Sequence, residues 1–214
     1  MKMFKPYLVL LLAALTGPAT WAAPMDRAHA LAAMTQADPM QRLTALFRLA
    51  EIGTMADTDR VLDRLADDDP RVRIAAGDAA WQIWGRSGDA ATDQLLAQGM
   101  AQMQASALQQ ALASFSQVIK RRPAFAEGWN KRATVYFMLG ENQKSLQDCD
   151  EVFKRNPRHF GALSGAGQIH LQLGNLSKAL NYFRRAVAVN PNLDGPAQMI
   201  PLIEQRLRDD PSRT

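Results

Sequence analysis

The chain has 214 residues with a formal charge of +4, one cysteine and three histidines. A lone cysteine excludes an internal disulfide, and the three histidines, His29, His159 and His170, stand too far apart in sequence to suggest a metal set. The charge falls to +2 once Lys2 and Lys5 are set aside, which is nearly neutral and gives no reason to expect nucleic acid as a partner.

Residues 1–22 read as a secretory signal peptide. Lys2 and Lys5 precede an apolar run from Tyr7 to Leu15, and small residues follow, with Thr20 and Ala22 suiting cleavage after Ala22 or Ala23. The run is shorter than the roughly 20 residues a spanning helix needs, and an uncleaved anchor is the alternative. Export to the bacterial periplasm is expected, with no cysteine at the cleavage site to carry a lipid.

Residues 23–88 form an N-terminal helical region outside the repeat frame described below. In its clearest segment Asp69 caps a helix, Pro70 takes the first turn, and Gly85 and Gly88 end it. Val72, Ala76, Ala79, Ala80 and Ile83 then share one face. Upstream, Val61, Leu62 and Leu65 mark one apolar stretch, and Leu43, Leu46, Phe47, Leu49 and Ile52 mark another. The Asp-Pro turn followed by Val72 and Arg73 resembles a HEAT repeat. Trp81 and Trp84, three apart, are expected to pack against the first of the repeats that follow, with Trp81 at the edge of the seam; an exposed platform is the alternative. The short linker Arg86 to Asp89 argues that the two regions dock.

Beyond the linker the chain repeats. Pro123, Pro157 and Pro191 are spaced by 34, and between them Trp129 falls over Leu163, Tyr136 over His170, Gly140 over Gly174, Ser145 over Ala179, Cys149 over Phe183 and Val152 over Ala186. A weaker copy from Thr92 to Pro123 puts Leu95, Gly99, Ala111, Phe115 and Val118 in the same places, with Ser106 where a glycine would stop the first helix. Small residues at Gly99, Ala133 and Gly167 let paired helices approach, and the later glycine supplies a left-handed stop. Each unit leaves an apolar face for its neighbour to cover. A capping helix over residues 195–208 is expected to turn Ile200, Ile203 and Leu207 inward, with Pro201 kinking it or delaying its start. Cys149 reads as a small core residue.

These positions resemble the tetratricopeptide repeat family, and the chain as a whole resembles short secreted bacterial members of it. The resemblance implies an all-α, right-handed α-solenoid of about three helix pairs over residues 92–194. It also implies that a protein or peptide partner binds the concave groove lined by the first helix of each pair. Carried over position by position, the groove comprises Asp93, Leu96, Met100, Met103 and Gln104, then Glu127, Asn130, Thr134, Phe137 and Met138, then Gly161, Ser164, Gln168, Leu171 and Gln172. Met103 and Leu171 suit the inter-repeat core equally well. Members that grip a chaperone's C-terminal carboxylate use lysine, asparagine and further basic residues where this chain has Leu96, Met100, Lys131, Gly161 and Gly165, so that clamp is not expected.

No catalytic constellation and no cofactor motif emerges. His170 takes a position usually given to a packed aromatic, and GALSGAG, residues 161–167, matches neither a phosphate loop nor a nucleophile elbow. Asp148, Asp150 and Glu151 read as a solvated helix face without a partner site, and the acidic run Asp67, Asp68 and Asp69 is where an unrecognised enzymatic site in the N-terminal region would be sought. Lys120, Arg121, Arg122, Lys154, Arg155, Arg184 and Arg185 cluster near the ends of second helices, where they complement the helix dipole rather than form a phosphate stripe. An anionic membrane surface stays open as a further contact, and oligomeric state is not legible. The expected role is a non-catalytic adaptor or scaffold; the alternative is an accessory factor of envelope biogenesis or secretion that binds a glycan or lipid-linked substrate.

Overall fold

The computed structural model describes residues 24–209; the signal-peptide reading of residues 1–22 lies outside them. Among the described residues all regular structure is helical. The N-terminal unit contains α1 (Arg27–Ala33), α2 (Pro39–Ile52), a 3-10 turn, α3 (Thr58–Asp63), a second 3-10 turn and α4 (Pro70–Trp84). Aspartates start its longer helices: Asp38 accepts from the Met40 amide and Asp69 from the Arg71 amide, each followed by proline in the first turn. The alanine-rich face of α4 packs on α2, and Leu46, Leu49, Val61, Leu65, Val72, Ala76 and Ile83 are buried between the helices. Phe47 departs from expectation: at 57% exposed it points away from this core, because α2 buries only the stripe containing Ala45, Leu46 and Leu49.

Arginines fasten the unit where short helices leave carbonyls and carboxylates inside. Arg42 makes a bidentate pair with buried Asp67, at 2.8 and 2.9 Å, and also donates to the Gln36 and Ala37 carbonyls. Arg27 pairs with buried Asp57 through Nε at 2.8 Å. Arg86 donates to the Ala50 and Gly53 carbonyls at the end of α2, so it belongs structurally to this unit.

Three antiparallel pairs follow: α5 (Ala90–Gln104) with α6 (Leu108–Arg121), α7 (Ala126–Met138) with α8 (Asn142–Arg155), and α9 (Phe160–Gln172) with α10 (Leu176–Val189). The first helix of each pair ends alike. The amides of Ala107, Glu141 and Asn175 reach back five residues to the carbonyls of Gln102, Tyr136 and His170, the closure of a Schellman motif. The residue just before each of those amides is left-handed, with φ of +58° at Ser106 and +75° at Gly140 and Gly174. Serine pays the Cβ strain that glycine avoids.

Close packing inside each pair explains the small residues. A Cβ at Gly99 would come 2.5 Å from the Phe115 ring, and one at Gly167 would come 2.7 Å from Phe183. The middle pair has Ala133, which does carry a Cβ, and there the facing aromatic is replaced by Cys149. The last helix, α11 (Asp194–Asp209), seals the third pair by burying Ile203 against Leu176, Ala179, Leu180 and Phe183, with Ile200 and Leu207 half-buried beside it. Pro201 does not delay its start; the helix begins at Asp194 and continues through the exposed proline.

Candidate partner-binding surface

The first helices α5, α7 and α9 lie side by side, and their expected groove residues divide into two groups. Toward the start of these helices Leu96, Glu127 and Asn130 are buried, and Ser164 is half-buried. Toward their ends Thr134, Met138, Gln168 and Gln172 are exposed, and Met100 and Phe137 are half-buried. Met103 and Leu171 pack into the cores of the first and third pairs.

The N-terminal unit approaches this first group at Glu127, across a cleft, while Leu96 is buried in the core of the first pair itself. Trp84 stacks on His159, with ring centroids 4.4 Å apart, and contacts Phe160 at 5.0 Å. Trp81 meets His159 and Phe160 edge to face, both at 5.3 Å. Gly161 makes room for it: a Cβ there would overlap the Trp81 ring. The tryptophans therefore pack on the start of the third pair, not the first as the short linker suggested. A linker fixes only where two units join, and the large aromatic surface found its cover at Phe160, about 80 residues further along. Phe160 belongs to the core of the N-terminal unit, with Val189 and Leu193 packed against it. Polar ties lie alongside: Arg158 bonds Asp59 at 2.8 Å, Asn192 donates to the Leu65 carbonyl at 2.8 Å, and Arg73 donates to Asn192 at 3.1 Å. The unit thus joins the first pair covalently and the third by contact.

A buried polar group sits beneath this contact. His159 is fully buried; its Nδ1 accepts from the Ala162 amide and so caps α9, which leaves Nε2 to donate to Glu127 at 3.0 Å. Glu127 also accepts from Asn130 at 3.1 Å and pairs with Lys131 at 3.0 Å. Burial alone would raise the Glu127 carboxyl, but the bond from His159 and the charge of Lys131 outweigh it and hold it below the usual carboxylate value. A depressed pKa means this network stabilises the fold above about pH 4.5 and loses that contribution as the pH falls below it. The Lys131 ammonium lies 5.6 Å over the Trp81 ring. Trp81, Gln82, Arg86, Leu96, Met100 and Lys131 line a cleft of about 400 Å³ between α4 and the first two pairs.

Residues weighed for chemistry have structural partners. Asp148, expected on a solvated face, is buried and makes a bidentate pair with Arg132 at 2.7 and 2.8 Å, because the Arg132 side chain crosses from α7 to meet it. Asp67 is held by Arg42 and accepts from the Asp69 amide, and Asp69 caps α4 and pairs with Arg71. Burial pushes the Cys149 thiol up to about 12, with Asp148 and Asp150 adding to it. Burial likewise lowers the His170 pKa, with Lys178 adding to the effect, and the His170 ring stacks on Tyr182. Among the basic residues at helix ends, Arg121 reaches Asp89, Arg155 pairs with Glu151 and donates to the Pro123 carbonyl, Arg184 pairs with Glu204, and Arg185 covers Phe153 and Tyr182. Among the described residues no three metal-ligating side chains come together, and no helix is long and apolar enough to cross a membrane.

The sequence pointed to docking and to the two tryptophans at its seam, but not to their seat on His159, Phe160 and Gly161. One signal was available: Gly161 opens a helix at a position where no turn or helix pairing calls for a glycine.

Comparison with known proteins agrees with this geometry. Models described as tetratricopeptide repeat match residues 96–152 and 160–193. A TPR repeat-containing protein of Rhizobium etli is 28% identical over 169 residues, 79% of this chain and 76% of that protein. A mouse FK506-binding protein-like protein is 39% identical over 59 residues, but the match spans only 28% of this chain and 17% of that protein. Among solved structures, MamA superposes with a TM-score of 0.52 at 18% identity, covering 73% of this chain and 87% of MamA. The first TPR of Spaghetti (RPAP3), bound to an HSP90 peptide, superposes at 0.53 with 20% identity, covering 55% of this chain and 93% of that one. At these identities the structures speak for the fold. Residues 96–152 and 160–193, which hold most of the three helix pairs, are tetratricopeptide repeats.

Proposed function

We propose that the protein is a non-catalytic adaptor or scaffold that binds a segment of another protein on the open half of the concave face, and that it works after export, in the bacterial periplasm. The observation that carries the binding role is the row Thr134, Met138, Gln168 and Gln172: side chains exposed on helices whose other faces are buried. These residues carry no charge, and Met138, 49% exposed, is an adaptable apolar contact of the kind that suits varied peptide guests. The HSP90 peptide on the RPAP3 domain supports a peptide as the class of guest. A chaperone-type C-terminal carboxylate is not the expected guest, since Lys131 is engaged by Glu127 and the third pair offers Gly161 and Gly165. Export rests on the sequence run of Lys2, Lys5 and Tyr7–Leu15 followed by small residues.

A photo-crosslinking residue placed at Met138 in intact bacterial cells tests the reading. Discrete adducts with exported proteins are expected, and Gln168→Arg with Gln172→Arg should abolish them. The same adducts from a crosslinker at exposed Gln147, on α8, would refute the assignment of the face.

A further inference from the structure

The second helices α8 and α10 both pack on α9, and a cleft of about 600 Å³ lies between them. Its buried floor is His170, which stands two residues from both Gln168 and Gln172 and so on the opposite side of α9 from the concave row. Lys178, Asn181, Tyr182 and Arg185 recur at helical spacing and form one stripe of α10 along the cleft, while Gln143 and Asp150 line it from α8. The middle pair shows what is unusual here. At the same register it pairs its charges internally: Lys144 with Glu141, Arg132 with Asp148, and Glu151 with Lys154 and Arg155. One 34-residue period later Lys178 keeps the lysine, but Asn175, Tyr182 and Arg185 stand where the three carboxylates were. Among the described residues neither Lys178 nor Arg185 makes a salt bridge, and in the cleft Asp150 is the single acid against them. We propose that this cleft is a binding site for a small hydroxylated anion, a sugar bearing a phosphate or a carboxylate.

The charge and the hydroxyls have separate partners. Arg185 lies over the Phe153 and Tyr182 rings, which fix its guanidinium without neutralising it, and Lys178 adds a second cation from the same helix face. Gln143, Asn175 and Asn181 each offer a donor and an acceptor, the combination that a hydroxyl uses. His170 belongs with them. Only 8% exposed and stacked on Tyr182, it has its Nδ1 3.5 Å from the Asn175 amide nitrogen, and its Nε2 has no hydrogen-bond partner among the described residues. Burial holds this ring neutral, so it too supplies one donor and one acceptor. Leu173, 48% exposed, gives the C–H face of a sugar ring an apolar surface. The volume falls within the roughly 300–1,000 Å³ of small-molecule sites. A bare inorganic anion would leave the amides and His170 unused.

Isothermal titration calorimetry of the full chain with glucose 6-phosphate, glucuronate, glucose and inorganic phosphate tests the site, and the adaptor reading has no part in the result. At least one of the two sugar anions is expected to bind with a Kd below about 1 mM, and at least about tenfold more tightly than glucose or inorganic phosphate, since charge and hydroxyls both contribute. The tighter of the two identifies phosphate or carboxylate as the group held. Lys178→Gln/Arg185→Gln should weaken that binding at least about tenfold. Asn181→Asp, at an exposed position, should weaken it as well by setting a like charge beside the ligand, which keeps the test sound should loss of Arg185 disturb the Phe153 and Tyr182 stack. Lys144→Gln removes the paired lysine at the same register of the middle pair and should change nothing. Failure of both sugar anions to bind would overturn the proposal, as would inorganic phosphate binding equally well or an equal loss in Lys144→Gln.

Discussion

The middle helix pair and the pairs beside it fill the same register positions with different chemistry. The outer pairs set Gly99 against Phe115 and Gly167 against Phe183, placing a ring directly on helix backbone. The middle pair divides the volume otherwise, between Ala133 and Cys149, and crosses its interface with Arg132 and Asp148 where the outer pairs have Gln98 with Ser114 and Ala166 with Tyr182. Arg132 also lies over Trp129 and Tyr136, and Arg155 covers Trp129 from the last turn of α8. A 34-residue period therefore constrains the space available at each position more tightly than the type of interaction that occupies it.

Removing the charge pair is the hardest way to break the middle pair. Asp148→Ala strands the Arg132 guanidinium, whose side chain is 19% exposed, and should cost about 3 kcal/mol in denaturant unfolding. Loss of less than about 1 kcal/mol would mean that water reaches the pair and that the middle interface resembles its neighbours after all. Volume comes next. Cys149→Phe should cost about 1–3 kcal/mol by overpacking against Ala133, and adding Ala133→Gly should recover part of that by recreating the arrangement of the outer pairs; additive losses in the double variant would refute the shared-volume account.

The period made the fold legible because it records contacts between elements adjacent in sequence. The three helix stops, the small residues at Gly99, Ala133 and Gly167, and the inward face of α11 all follow from it, and the caps at Asp38 and Asp69 are local chemistry. The seat of Trp81 and Trp84 is different in kind. It depends on how far the array curves before the third pair returns to the N-terminal unit, a sum of small rotations between pairs that no single residue encodes. For the same reason Glu127 and Asn130 could be placed in the groove from register, while their burial could not.

The smallest effect sharpens the comparison at the turns. Ser106 holds the left-handed position that Gly140 and Gly174 fill without strain, so Ser106→Gly should raise stability by about 1 kcal/mol. Thermal unfolding would show this as a higher midpoint, and a lower midpoint would mean that the serine hydroxyl repays the strain.

Cys149 carries a practical consequence. Its thiol is 4% exposed and reluctant to ionise, and thiol reagents act on accessible thiolate. The wild-type chain can therefore serve as its own background for site-directed dyes or spin labels: a second cysteine introduced at exposed Gln172 would take up maleimide alone, with no need to delete the native one and disturb its pairing with Ala133.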